Sequence, residues 1–110
     1  MAAGSDIVKD WIFLCDTFGE AHTAAEREAL IRCAKMAIGY LDDNVTPANE
    51  ISRVAHARCY REERAVYAAA TRGMDIYTLK GFKETYDPVR IFTGFVLSDR
   101  AKRRNATARQ

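Results

Sequence analysis

The sequence contains few residues that interrupt helices: 110 residues include two prolines and six glycines. It has no Asn-Gly or Asp-Gly pair of the kind that joins two strands in a hairpin. Both prolines follow a capping residue, in Thr46-Pro47 and Asp87-Pro88, and this order is typical of a helix start. No apolar run reaches the roughly 18 residues needed to cross a bilayer. We therefore predict an all-α fold, a compact bundle of four or five helices, with no membrane partner.

The common sequence motifs of enzymes are also missing. The chain has no P-loop, no GxGxxG, no HExxH and no GxSxG motif. Its two histidines, His22 and His56, form no Glu-x-x-His pair of the kind that di-iron bundles require. The adjacent acids at 42–43 and 62–63 point in different directions on a helix and do not converge as an acid–base pair. We predict a protein that is not an enzyme and that has no cofactor and no metal site.

Cysteine is scarce, and its spacing predicts reduced thiols. Cys15, Cys33 and Cys59 are odd in number, widely spaced and without a CxxC motif. The first ten residues, MAAGSDIVKD, lack the basic end and the long apolar stretch of a secretory signal. We therefore expect a cytoplasmic protein whose cysteines are reduced and buried on apolar helical faces.

Apolar periodicity and start signals predict where the helices lie. Thr23 begins a capping box, Thr46-Pro47 and Asp87-Pro88 begin later helices, and Gly73 is a typical stop. A break near 58–60 is one alternative, and 88–99 is rich enough in β-forming residues to allow a strand. The helices are predicted at 6–18, 23–42, 47–72, 75–85 and 88–102.

Positive charge is concentrated at the C-terminal end. Residues 100–110 carry a charge of +5 and no acid. Because the net charge of the chain is +2, residues 1–99 carry a charge of −3. The segment has no large apolar side chain to bury, which is typical of disorder. We predict one helical domain over 1–99 and a disordered basic tail over 100–110.

A second basic feature lies within the predicted helix 47–72. At 100° per residue, arginines and tyrosines alternate along one face, while Glu62 falls near the apolar side, where we expect it to pair with Arg58. Guanidinium and phenol groups suit phosphate or an acidic protein surface. The alternative is that the tyrosines pack on a neighbouring helix and that the arginines are solvated or paired. Together with the tail, the candidate binding residues are Arg53, Tyr60, Arg61, Arg64, Tyr67, Arg72, Arg100, Lys102, Arg103 and Arg104.

Two functions fit these features. The first is a small interaction module, such as an inhibitor or adaptor of the kind that phages and viruses encode, which binds and occludes a larger partner protein through a charged helical face. The alternative is a nucleic-acid-binding protein that uses the Arg/Tyr face and the basic tail. The negative charge of 1–99 favours the first, because a nucleic-acid-binding domain is usually basic throughout. A helix-turn-helix is disfavoured, because Cys59 occupies the turn position that glycine usually takes.

The predicted helix 6–18 also suggests a homodimer. Its apolar residues exceed one face, so Trp11, Ile12 and Phe13 are candidates for the interface of a two-fold dimer. Light scattering at micromolar concentration should then give about twice the monomer mass of 12.4 kDa. Phe13→Asp should restore the monomer mass, since it places a charge in the apolar interface. A monomer mass at every concentration would exclude the dimer.

Overall fold

A computed structural model describes residues 23–108. This part of the chain forms five helices and no strand, which confirms the all-α prediction. The predicted helix 6–18, with Trp11, Ile12 and Phe13, lies outside the described residues. The helices are α1 (Ala24–Leu41), α2 (Ala48–Arg58), α3 (Tyr60–Thr71), α4 (Ile76–Thr85) and α5 (Pro88–Ala108).

Several helix boundaries follow from local chemistry. The Asp75 side chain caps α4 by accepting the Thr78 N–H at 2.8 Å, and the Asp87 side chain accepts the Val89 N–H at 3.1 Å at the start of α5. Gly73 has φ +86°, the left-handed conformation expected after a helix end. The predicted cap at Thr46 is wrong: its hydroxyl donates to Asp43 at 2.7 Å, and α2 begins without a side-chain cap.

The predicted helix 47–72 is two helices, divided at Cys59. Cys59 has φ −103° and ψ 20°, and its N–H is shared between the carbonyls of Ala55 and His56. Its sulfur is bonded to Cys33 of α1 in a disulfide. The prediction of reduced thiols is therefore wrong for these two cysteines, because packing of the helices brings together side chains that are 26 residues apart. Sequence spacing alone does not reveal such a pair.

The prediction of a disordered tail is also wrong for residues 100–108, which continue α5. Alanine, lysine and arginine are good helix formers. Arg103 pairs with Asp99 one turn earlier at 3.2 Å, and Arg100 reaches Asp42 at 2.7 Å. These ion pairs replace the apolar burial that the segment lacks. The alternative of a strand at 88–99 is excluded, because these residues lie within the same helix.

By their internal contacts, the described residues belong to two units. The first unit comprises 23–32 and 61–86, and thus the first part of α1, nearly all of α3, and α4. Its buried side chains on α3 recur at Glu63, Val66 and Ala70, which is the spacing of one helical face. In the part of α1 that belongs to this unit, residues 24–32, the buried apolar residues are Leu30 and Ile31.

The second unit comprises 33–60 and 87–108, in which α2 packs against α5. Ser52 accepts a hydrogen bond from Thr93 at 2.9 Å, and the His56 ring meets the edge of Phe92 at 5.5 Å. That a single domain spans 1–99 stays a prediction. The buried apolar residues of this unit are Ala34, Ala37, Ile38, Ile51, Ala55, Cys59, Ile91, Phe92, Phe95 and Val96.

Between residues 23 and 108, no helix combines the length and the apolar character needed to span a membrane. α1 and α5 are long enough at 18 and 21 residues, but charged side chains interrupt both.

Loss of the Cys33–Cys59 disulfide should lower the free energy of unfolding. Closing a loop of 26 residues restricts the unfolded chain and stabilises the folded state by about 3.5 kcal/mol in the chain-entropy account. Urea unfolding with and without a reducing agent measures the difference. The double variant Cys33→Ser/Cys59→Ser should lose this sensitivity to the reducing agent, whereas Cys15→Ser should keep it. Three free thiols in the native protein, counted by mass spectrometry after alkylation, would contradict the disulfide.

Candidate binding groove on α5

The C-terminal half of α5 carries a groove of about 740 Å³ in the second unit. Its residues on α5 follow a spacing of three and four, so that their side chains lie on one side of the helix. The loop 42–46 contributes Asn44 to the lining. The lining consists of Asn44, Leu97, Arg100, Arg103, Arg104 and Thr107.

The shape of loop 42–46 comes from its own polar side chains. Asp43 accepts the N–H groups of Val45 at 2.9 Å and Thr46 at 2.8 Å, and these bonds, led by Thr46, lower the pKa of Asp43 to about 2. Asn44 has φ +63°, a conformation that asparagine tolerates better than most residues. Its N–H donates to Asp42 at 3.0 Å. The loop therefore holds the Asp42 carboxylate in one position.

Asp42 holds two arginines of the groove in position. Its carboxylate is fully buried and accepts two hydrogen bonds from the guanidinium fork of Arg100, from Nη2 at 2.7 Å and from Nε at 3.0 Å. Arg103 Nη2 also donates to this carboxylate, to the Oδ2 atom that accepts from Arg100 Nε. The bond from Arg100, followed by those from Asn44 and Arg103, holds the pKa of Asp42 well below its usual range against the opposing effect of burial.

Part of the positive charge is left for a ligand. The Arg103 side chain is 37% exposed. Arg104 is exposed, and Leu97, two helical turns earlier on the same side of α5, is 53% exposed. Guanidinium donors thus lie next to an apolar side chain in a concave surface, which suits a carboxylate or phosphate attached to an apolar group.

Four of the sequence-predicted binding residues, Arg100, Lys102, Arg103 and Arg104, therefore lie together on α5. Arg100 and Arg103 line the groove with their guanidinium groups fixed by Asp42, and Lys102 is half-buried. The groove depends equally on residues that the sequence reasoning missed, namely Asp42, Asn44, Leu97 and Thr107. A signal for the loop was present in Asp42-Asp43-Asn44, because these residue types form Asx turns.

The remaining predicted residues are divided between the two units. Arg53 and Tyr60 belong to the second unit, and the Tyr60 ring is 57% exposed. Arg61 and Arg72 are exposed residues of the first unit. Whether any of the four binds a partner stays a prediction.

Arg64 and Tyr67 are part of an internal cluster in the first unit. The fork of Arg64 binds the buried Glu63 carboxylate, with Nε at 2.9 Å and Nη2 at 2.6 Å. The Tyr86 hydroxyl donates to the same carboxylate. Arg64 lies over the Tyr67 ring, 4.4 Å from its centroid, and Phe82 packs on Tyr67 at 5.6 Å. Burial, and then the bond to Glu63, raise the pKa of Tyr86 well above its ordinary value.

This cluster matches the alternative in which the tyrosine of the Arg/Tyr face packs on a neighbouring helix and its arginine is paired. The partners of Arg64 and Tyr67 in this cluster, Tyr86 and Glu63, were not predicted. The buried acid of α3 is Glu63, whereas Glu62 is half-buried. A helical wheel shows which residues share a face, but not which neighbour covers it. A binding role for Arg64 and Tyr67 would have to use the partly exposed edge of this cluster.

Comparison of the chain with protein-family models, with curated proteins and with solved structures gave no match.

Asp42→Asn should destabilise the protein by about 1–3 kcal/mol, because it removes the charge that neutralises two arginines.

The difference in the free energy of unfolding between wild type and Asp42→Asn should become smaller in acid. The folded-state pKa of Asp42 is below the unfolded value near 3.9, so the unfolded chain takes up the proton first. The contribution of ionised Asp42 to the free energy of unfolding is therefore complete above about pH 5, and it is lost as the pH falls below about 4. Urea unfolding at several pH values measures both effects.

Asp99→Asn is the matched control, since Asp99 pairs with Arg103 on the surface. We expect it to change the free energy of unfolding by less than about 1 kcal/mol. If the two variants lower the free energy of unfolding equally, the burial of Asp42 does not add to the stability of the protein.

Proposed function

We propose that this protein is a small non-enzymatic interaction module that binds an acidic surface of a larger protein in the groove on α5. The observation that carries the proposal is the fixed pair of arginines, Arg100 and Arg103, beside the exposed Arg104 and Leu97. Guanidinium groups bind carboxylates through paired hydrogen bonds, and arginine is enriched in protein interfaces. As an inhibitor or adaptor, the protein would act by covering the surface that it binds.

The charge around the groove favours a protein over a nucleic acid. Asp42, Asp43 and Asp99 lie among the basic residues of this end of the unit, so little net positive charge is left. Binding to a nucleic-acid backbone relies on contacts with many phosphates and on a strongly basic surface. An exposed leucine adjoining a few directed donors is a better match for a protein segment with acidic and apolar side chains. Nucleic-acid binding is the second outcome that the experiment below detects.

Two related expectations accompany this proposal. The cytoplasmic location stays a prediction, and the Cys33–Cys59 disulfide weighs against it, because such bonds are rare in the cytosol. The homodimer through Trp11, Ile12 and Phe13 also stays a prediction. A two-fold dimer would present two copies of the groove, and two linked sites bind a multivalent partner more tightly than one.

Arg104→Glu should weaken partner binding at least tenfold, because a carboxylate in the groove repels the acidic surface of the partner. Arg90→Glu is the matched control: it makes the same charge change on an exposed residue of α5 outside the groove lining. The three proteins are immobilised and exposed to a lysate of the native host, with and without nuclease.

Proteins retained by wild type and Arg90→Glu after nuclease treatment, but lost from Arg104→Glu, would support the proposal. Retention by wild type and Arg90→Glu that nuclease abolishes, and that Arg104→Glu lacks even without nuclease, would assign the groove to nucleic acid. Equal retention by Arg104→Glu and wild type after nuclease would overturn the groove as the binding site.

A further inference from the structure

Helix α4 in the first unit has an outward face that its own packing does not use. None of its ten residues is buried, and Ile76 and Tyr77 are 76% and 85% exposed. The helix is attached through the opposite side, where Phe82 packs against Tyr67 and, at 5.3 Å, against Tyr86. A large aliphatic and a large aromatic side chain are therefore exposed side by side.

Two lysines share this face. At 100° per residue, the order around the helix is Leu79, Lys83, Ile76, Lys80, Glu84 and Tyr77, all within about 160°. All of these except Glu84 line a shallow depression of about 460 Å³. We call the five lining residues the α4 face. The lining of the depression contains two ammonium groups and no carboxylate.

We propose that the α4 face docks an acidic segment of a partner protein that carries apolar side chains. Tyrosine and isoleucine contribute apolar area, and tyrosine is among the residues most often found at energetic hot spots. Lys80 and Lys83 lie on either side of Ile76, where they can meet carboxylates one helical turn apart on the docked segment. The face would thus select its partner by charge and hold it by apolar contact.

The same arrangement argues against an anionic membrane surface as the occupant. A helix that lies in a membrane interface separates its apolar side from its basic side. Here the ammonium groups flank Ile76, so that burying Ile76 among acyl chains would draw both lysines toward the apolar layer. A protein segment avoids this cost, since its carboxylates can lie opposite the lysines.

This inference goes beyond the groove on α5 and does not depend on it. The probe is a short amphipathic helical peptide of leucine and glutamate, and the control peptide replaces each glutamate with lysine. Each is titrated into the isotope-labelled full chain and followed by amide chemical shifts. We expect the acidic peptide to shift the amides of 76–83, and the basic peptide to bind at least tenfold more weakly.

Two variants sharpen the test. Lys80→Glu/Lys83→Glu should reverse the preference between the peptides, and Tyr77→Asp should weaken binding of the acidic peptide at least tenfold. Both change exposed positions, and unchanged ring signals of Tyr67 and Tyr86 would show that the fold is intact. Arg104→Glu should leave binding at the α4 face unchanged, so that failure of this inference is separable from failure of the function proposed for α5.

Three outcomes would overturn the inference. The first is an acidic peptide that shifts no amide of α4, and the second is equal affinity for the two peptides. The third is a set of α4 shifts produced by phosphatidylserine vesicles but not by the acidic peptide, which would assign the face to a lipid surface.

Discussion

A buried carboxylate needs a compensating cation, and this requirement explains much of the second unit. Asp42 stands at the end of α1 and accepts hydrogen bonds from two arginines of α5, 58 and 61 residues later. Without these arginines, the carboxylate would lose its charge-assisted hydrogen bonds. The contact joins the loop 42–46 to α5 at Arg100 and Arg103 and orients the guanidinium groups that line the groove.

The first unit repeats this principle with different residues. Glu63 is buried on α3 and is compensated by Arg64 and by the Tyr86 hydroxyl, with aromatic rings stacked around the guanidinium group. Arginine suits both sites because its planar fork binds a carboxylate through two hydrogen bonds and stacks on rings. Part of the basic composition of this chain therefore neutralises its own buried acids. Only the donors that remain after this pairing are available to a partner, and they are fewer than the sequence suggests.

The helices could be predicted from the sequence because their signals are local. Asp75, Asp87 and Gly73 determine helix ends within a few residues, and apolar periodicity places the helices between them. The bonds of Arg100 and Arg103 to Asp42, the Cys33–Cys59 bond and the Glu63–Tyr86 contact could not be predicted in this way. Each depends on a partner between 23 and 61 residues distant, and composition does not identify that partner. The candidate site was therefore predicted in part: its arginines were found, but the aspartate and the loop that orient them were not.

Fixed arginines also affect how tightly the groove can bind. An arginine on an open surface loses side-chain freedom when it is captured, which costs about 0.5–1.5 kcal/mol for each side chain. Arg100 and Arg103 have already lost that freedom, because Asp42 and the Thr46 carbonyl hold them in the folded chain. Their charge is partly neutralised by Asp42, so the long-range attraction of an anionic partner is weakened. The groove consequently favours a ligand that matches the direction of its donors over one that supplies only negative charge. That preference is the physical reason to expect a shaped acidic protein surface there, rather than a uniform polyanion.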